Sequence, residues 1–120
     1  MIDHFEIKVE EFERCLRFYS AVLSPLKIEC KWSDSEGAGF GEIDSDKVRF
    51  VIERSNQPSL THIAFSAPNK EAVVSFYETG LSAGERCNGK PGLRKNYSPN
   101  YFAAFLLDPD GNNVEAVVYV

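Results

Sequence analysis

Two histidines, His4 and His62, are the only ones in the chain, and each stands at the start of a segment that alternates between two faces. In both segments the imidazole lies on the face opposite the more apolar side chains. Imidazole is the commonest metal ligand among side chains and also an acid–base group near neutral pH. Two imidazoles in matching positions therefore make a metal or ligand site the first candidate for chemistry.

Glu115 is the third candidate. It lies on the last predicted strand together with Val117 and Tyr119, while the opposite face of that strand is more apolar. A carboxylate in such a place is costly without a partner. If this strand neighbours the first and fifth strands, Glu115 joins His4 and His62 as a facial set of two imidazoles and one carboxylate, with coordination positions left open. Taken singly, each of the three residues is more often a surface or solvated side chain.

The elements that must position these residues occur twice in the same order. A strand is followed by a helix with an apolar stripe at spacings of three and four, and then by three shorter strands. The two histidines are 58 positions apart, and so are Phe18 and Phe76, and Leu23 and Leu81. This constant offset indicates a duplicated unit. The predicted strands cover residues 4–9, 28–33, 39–43, 48–53, 61–67, 85–88, 101–107 and 113–120.

The second predicted helix carries the stripe Val73, Phe76, Tyr77 and Leu81, and Asn69 is its predicted N-cap. With 120 residues, 43% of them hydrophobic and 26% charged, the chain has the composition of one globular domain. The two units are therefore halves of one domain, because the connector between them is too short to separate two cores.

Charge and cysteine content exclude several classes of function. The formal net charge of −5 works against a general electrostatic grip on nucleic acid or on an anionic membrane. No apolar stretch is long enough for a membrane helix and no signal peptide is recognisable, so a cytoplasmic protein is expected. Cys15, Cys30 and Cys87 are widely spaced and are expected to be reduced. A small molecule is the expected partner.

The segment from Asn88 to Asn100 is rich in Gly, Pro and Asn and mixes basic with aromatic side chains. Such a segment is typical of a lid over bound substrate. In this interpretation Arg94 or Lys95 binds an anionic group of the substrate, while Tyr97 and Tyr101 line the cleft. A solvated loop with ordinary surface charge is the alternative.

Three parts of the sequence resemble one known family. They are His4–Val9 followed by Arg14–Tyr19, then Thr61–Phe65, and finally Asp108–Glu115. The resemblance is to the vicinal oxygen chelate superfamily, which includes glyoxalase I, fosfomycin resistance proteins, extradiol dioxygenases and bleomycin resistance proteins. It covers nearly the whole chain and is specific to the superfamily rather than to one activity.

The resemblance implies an α+β fold of two paired βαβββ modules whose curved mixed sheets enclose a cleft, the glyoxalase/bleomycin resistance/dihydroxybiphenyl dioxygenase fold. Module 1 is expected over approximately residues 1–54 and module 2 over approximately 60–120. It also implies a divalent metal ion, Fe, Mn, Ni or Zn, with His4, His62 and Glu115 at ligand positions. A homodimer is expected, and the site forms either within one chain or across two.

Members of the glyoxalase type usually add a fourth ligand from the last strand of the first module. Aligning Asp44–Asp46 with Asp108–Asp110 puts Val51 at the place equivalent to Glu115. Glu53 shares that strand face but lies two residues further on, roughly 7 Å along a strand. It is a fourth ligand only with a shifted register, and a salt-bridging or solvated Glu53 is the alternative.

The prediction is a glyoxalase-like metal-dependent enzyme acting on a small oxygen-rich substrate, with lyase or isomerase, dioxygenase or transferase chemistry. Its metal would act as a Lewis acid. Glu115, Glu53 and Glu6 are the candidate catalytic carboxylates, although Glu6 has an ion pair with Lys8 as its alternative. A metal-free protein of the bleomycin resistance type, which binds or sequesters a small molecule, is the second hypothesis. A structural or regulatory domain with a vestigial site is the third.

Overall fold

The computed structural model describes residues 1–120 and contains two four-stranded sheets and two α-helices. The strands are β1 Phe5–Val9, β2 Ile28–Ser33, β3 Gly37–Glu42, β4 Phe50–Arg54, β5 His62–Ser66, β6 Arg86–Leu93, β7 Tyr101–Leu107 and β8 Asn113–Tyr119. The helices are α1 Phe12–Val22 and α2 Lys70–Ser82, with a short 3-10 helix at Ser24–Leu26. No helix has both the length and the apolar character needed to cross a membrane.

Both sheets have the same topology. The first has the order β1-β4-β3-β2 and the second the order β5-β8-β7-β6, and in each the first strand runs parallel to the last strand of its own module. The duplicated order predicted from the sequence is therefore confirmed as two βαβββ modules. We call the face of each sheet that is turned away from its helix the outer face.

One hydrophobic core serves both modules. Its buried members come from both helices and from the inner faces of both sheets, including Phe50 and Phe65, whose rings lie 5.3 Å apart in an edge-to-face contact. Burial of this shared apolar surface is the main favourable term that holds the modules together. The predicted single domain is consistent with this continuous core.

A polar cluster at the β7–β8 turn reinforces the contact between modules. Asp108 is fully buried and accepts hydrogen bonds from the Tyr19 hydroxyl of α1 at 2.6 Å and from the Asn112 side chain at 2.8 Å. Asp110 accepts from the backbone N–H groups of Glu10 and Glu11 at 2.7 and 2.8 Å, where α1 begins. The turn of module 2 therefore caps the helix of module 1, where unpaired N–H groups and the helix dipole favour a carboxylate.

Local sequence accounts for most element boundaries. Asn69 caps α2 as predicted, because its side chain accepts from the backbone N–H of Ala72 at 2.8 Å. The prediction for Leu81 is wrong: it is exposed, and Gly80 takes the buried place beside Leu106. A side chain at position 80 would overlap Leu106, so the helix turns its smallest residue toward β7.

The expected lid over residues 88–100 is only partly a loop, since β6 continues to Leu93. Its Gly-Pro composition predicts a loop, but β6 is the edge strand of its sheet, where a proline without an N–H is tolerated. The strand is irregular, with register shifts on both sides of Gly89. What is left of the predicted lid is the short turn from Arg94 to Asn100.

Trp32 lies on the outer face of the first sheet. It lies beside Gly39 in the β2–β3 ladder, and a Cβ on Gly39 would overlap its indole ring. The glycine therefore lets the indole lie flat on the strand, and Trp32 remains 42% exposed.

Candidate functional site

The candidate site lies on the outer face of the second sheet and centres on Glu115. Register places Glu115 between Ala64 of β5 and Phe105 of β7, so these three side chains share that face. Glu115 is 2% exposed, although the face as a whole is open. A carboxylate this deeply buried requires partners for both of its oxygens.

His62 and Tyr101 are those partners. His62 Nε2 lies 3.1 Å from Glu115 Oε1, and the Tyr101 hydroxyl donates to Glu115 Oε2. The contact between His62 and Glu115 is diagonal across the β5–β8 ladder, because His62 itself pairs with Asn113. His62 and Glu115 were predicted to share one site, and the structure brings their side chains together.

Aromatic side chains form the floor of this site. The Phe105 ring stacks against the His62 ring at 6.3 Å with an interplanar angle of 22°. Tyr101 makes edge contacts with Tyr97 at 5.1 Å and with Tyr119 at 5.3 Å. Phe105 also belongs to a small buried cluster with Ala103 and Val117, separate from the main core. The face can therefore bind the apolar part of a small molecule beside a carboxylate and an imidazole.

The Tyr101 hydroxyl stays protonated in this environment. Desolvation raises its pKa, and the hydrogen bond to Glu115 and the charge of that carboxylate raise the pKa further. Tyr101 therefore serves as a hydrogen-bond donor to Glu115 at neutral pH. Sequence reasoning assigned Tyr101 to the cleft lining and missed its bond to Glu115, for which strand pairing was the missing information.

The three other residues assigned to substrate binding differ in their placement. Arg94 lies over the Phe105 ring, with its guanidinium carbon 5.2 Å from the ring centroid. Tyr97 is 60% exposed and reaches the site only through its contact with Tyr101. Lys95 is exposed and makes no ion pair or side-chain hydrogen bond. Of the two basic candidates, the structure thus places Arg94 against the aromatic floor.

His4 does not join His62 and Glu115 within one chain. Its Nδ1 lies 2.7 Å from the Asp3 carboxylate, and no group of three His, Cys, Asp or Glu side chains is placed to hold a metal ion. The condition set by the sequence analysis is met only in part, because β8 neighbours β5 but β1 pairs with β4. The predicted three-ligand set is therefore not brought together within the single chain.

Register settles the equivalence of Val51 and Glu115. Glu6 pairs with Val51 in the first sheet, just as Ala64 pairs with Glu115 in the second. Glu53 lies two residues beyond, opposite Lys8, and the two side chains approach to 3.9 Å. This geometry agrees with the alternative in which Glu53 forms a salt bridge rather than serving as a fourth ligand.

Glu6 has no ion-pair partner. The expected alternative, a pair with Lys8, does not form, since Lys8 faces Glu53. Glu6 lines a recess of about 250 Å³ together with Thr61, the residue before His62. Of the two candidate bases in module 1, Glu6 is thus the one whose carboxylate is not engaged by a cation.

A more spacious cleft lies elsewhere in the molecule. Its volume is about 680 Å³, and it runs between the start of β1 and the end of β5, with Phe5, Ile28 and Phe65 among its apolar lining residues and Arg49 among its charged ones. None of the proposed metal ligands lines it. The candidate ligands therefore lie outside this cleft of the single chain.

The sequence and the fold together define a known class. The sequence matches the family Glyoxalase, the Glyoxalase/Bleomycin resistance protein/Dioxygenase superfamily, over residues 1–116. The protein belongs to this superfamily, as its sequence motifs predicted. No curated protein sequence matches the chain.

Solved structures share the architecture. A glyoxalase/bleomycin resistance protein from Albidiferax ferrireducens T118 is 25% identical, with a TM-score of 0.80 over 96% of this chain and 95% of that chain. A glyoxalase/bleomycin resistance protein/dioxygenase family enzyme from Burkholderia phytofirmans PsJN is 16% identical, with a TM-score of 0.74 over 99% and 98%. A lactoylglutathione lyase from Agrobacterium tumefaciens is 16% identical, with a TM-score of 0.70 over 98% and 92%. The last two likenesses show the fold alone.

Proposed function

We propose that this protein is a metal-dependent enzyme that acts on a small oxygen-rich substrate at the outer face of its second sheet. The observation that carries the proposal is the buried Glu115 carboxylate, whose Oε1 lies 3.1 Å from His62 Nε2 above an aromatic floor. A buried carboxylate beside an imidazole on an open face serves no packing purpose, because an apolar residue would stabilise that position more simply.

The donor set fits a divalent metal ion. Imidazole nitrogen and carboxylate oxygen together suit Fe, Mn, Ni and Zn, which use such mixed ligands. His62 and Glu115 would supply two ligands, and His4 would be the third. Because His4 is exposed and does not meet the other two within one chain, we assign its contribution to a second copy in a homodimer. The bound metal would polarise vicinal oxygens of the substrate as a Lewis acid.

The other residues of the face have simpler tasks in this proposal. Tyr101 holds Glu115 Oε2 and leaves Oε1 directed at His62. Tyr97 and Tyr119, which are exposed beside Tyr101, supply apolar surface against which the substrate packs, and the buried Phe105 supports His62. Outside this face, on the first sheet, Glu6 is the preferred proton acceptor from module 1, since Glu53 faces Lys8. Lyase or isomerase, dioxygenase and transferase chemistry are all compatible with this set of groups.

A second candidate function is metal-free binding or sequestration of a small molecule. Two observations favour it: both oxygens of Glu115 are already in contact with groups of the chain, Oε2 with the Tyr101 hydroxyl and Oε1 with His62 Nε2 at 3.1 Å, and the cleft of about 680 Å³ has many apolar lining residues. A cavity of this size suits a drug-sized ligand.

Metal content separates the two functions. After incubation with Fe, Mn, Ni or Zn and gel filtration, we expect the wild-type protein to retain one metal ion per site, measured by mass spectrometry. His62→Ala and Glu115→Gln should lower the retained metal at least tenfold, while Glu53→Gln should keep it. A wild-type protein that retains none of the four metals would contradict the proposal. Ligand-dependent thermal stabilisation that survives chelator would then support the second candidate.

A mixing experiment tests the contribution of His4. His4→Ala and His62→Ala should each abolish metal retention alone, yet a mixture of the two should regain it, because a heterodimer contains one site with all three ligands. If the site forms within one chain, the mixture stays empty. Regained metal would also demonstrate the homodimer.

A further inference from the structure

We infer that the substrate bound at this face carries a carboxylate, and that Arg94 is the residue that recognises it. The inference rests on the proposed function, because it assigns the substrate class of the same face. It concerns a residue that is not part of the proposed metal site, so the two can be tested separately.

Arg94 is held in place before any ligand binds. Its Nη1 donates to the carbonyl of Gly92 at 2.9 Å and its Nη2 to the carbonyl of Lys90 at 2.6 Å. The guanidinium also lies over Phe105, the ring that stacks against His62 on the same face. A molecule that binds next to His62 is thus within reach of the guanidinium, because both groups contact the Phe105 ring.

The charge of Arg94 is not neutralised within the chain. It is the only one of the six arginines that is not exposed, and no acidic group lies within 4 Å of it. By contrast, Arg14 and Arg54 form ion pairs with Glu85 and Glu13. Arg94 has five N–H donors and uses two of them on carbonyls, so donors remain for an anion. A partly desolvated cation without a counter-ion is suited to an anionic ligand.

The sequence around Arg94 adds to the positive electrostatic potential there. Residues 86–107 contain four basic residues and no acidic one, in a chain whose net charge is −5. An electropositive segment on an acidic protein attracts small anions to one place on its surface. One guanidinium matches the single charge and the two oxygens of a carboxylate.

The backbone beneath Arg94 is adapted to this position. A Cβ on Gly89 would lie 3.1 Å from Nη2, and a Cβ on Gly92 would lie 3.3 Å from Nη1. Side chains at these two positions would crowd the guanidinium away from Phe105. The Gly-Pro-rich stretch that was predicted to be a lid therefore supports Arg94: its carbonyl groups accept hydrogen bonds from the guanidinium, and its glycines leave room for it.

A pair of matched probes tests the inference. The probes are 3,4-dihydroxybenzoate and 3,4-dihydroxybenzamide, which share the ring and the vicinal hydroxyls and differ in charge. We expect the acid to bind the wild-type protein at least tenfold more tightly by calorimetry. This ratio corresponds to about 1.4 kcal/mol, which is within what a hydrogen bond to a charged group contributes. Arg94→Gln should reduce this ratio to near one, Arg94→Lys should keep part of it, and Lys95→Gln should leave it unchanged.

Both probes are measured with zinc-loaded and with chelator-treated protein. Because Arg94 is not a metal ligand, the ratio should persist after chelation even if the metal proposal fails. The inference is overturned if acid and amide bind equally in both preparations, if neither binds in either, or if Lys95→Gln rather than Arg94→Gln removes the ratio. Circular dichroism of each variant verifies that the fold is retained.

Discussion

The outer faces of the two sheets can be compared position by position, because their strand registers agree. Glu6 opposite Val51 in the first sheet corresponds to Ala64 opposite Glu115 in the second. In the first sheet the acidic residue stands on the edge strand, whereas in the second it stands on an inner strand and is buried. The two modules share one strand topology, but the outer-face carboxylate stands on the first strand of module 1 and on the last strand of module 2.

The difference follows from what each face must satisfy. The inner faces of both sheets are constrained by one shared core, so they keep the same apolar character. The outer faces are free of that constraint. The first carries the exposed pair of Lys8 and Glu53 and the indole of Trp32, and the second carries His62 and Glu115. Duplication preserved the scaffold, and the polar groups of the outer faces diverged.

The largest expected effect concerns the turns that correspond in the two modules. Asp108 is buried with four hydrogen-bond donors around it, while its counterpart Asp44 is exposed. Asp108→Ala should lower the free energy of unfolding by about 3 kcal/mol, because buried donors from Tyr19 and Asn112 lose their acceptor. Asp44→Ala should change it by less than about 0.5 kcal/mol. Urea denaturation provides both values.

If Asp108→Ala yields no folded protein, Asp108→Asn replaces it, since it keeps one acceptor oxygen and should show an intermediate loss. Equal stability of the Asp108 and Asp44 variants would show that the polar cluster does not hold the modules together.

A smaller effect separates two neighbouring tyrosines of module 2. Tyr101→Phe removes the donor to Glu115 and leaves a buried carboxylate oxygen unpaired, so we expect a loss of about 1–2 kcal/mol in unfolding free energy. Tyr97→Phe removes a hydroxyl that makes no hydrogen bond and should change stability by less than about 0.5 kcal/mol. Thermal denaturation compares the two variants with the wild type. A neutral Tyr101→Phe would mean that the hydroxyl is replaced by water without loss.

The smallest effect belongs to module 1. Lys8 and Glu53 approach to 3.9 Å, but both side chains are largely in solvent, at 61% and 45% exposure. Exposed pairs of this kind contribute little, so Lys8→Gln should shift the unfolding free energy by less than about 0.5 kcal/mol. A shift larger than that of Tyr101→Phe would reverse the contrast between the two outer faces.

Much of the fold follows from sequence because it depends on local pattern. Alternation and helical stripes predicted all eight strands and both helices, and the constant offset of 58 predicted the duplication. β2 and β7 have the bounds that were predicted. β6 was predicted too short because its glycines and proline suit a loop, while its pairing with β7 depends on residues distant in sequence.

The site was predictable in part for the same reason. His62 and Glu115 were identified from strand faces and motif, and they meet because β5 and β8 pair. The bond from Tyr101 and the placement of Arg94 over Phe105 depend on side-chain packing across strands, which alternation does not specify. The neighbour of β1 was also beyond reach, because no local pattern distinguishes β4 from β8 as its partner.

Trp32 has a practical consequence. It is the single tryptophan of the chain and lies on the outer face of the first sheet, whereas Glu115 lies on the outer face of the second. Its fluorescence therefore observes module 1 alone. A ligand that binds only to the second sheet leaves the emission unchanged, whereas contact of the outer face of the first sheet with a second copy of the chain alters it. The protein thus contains its own optical probe of such association.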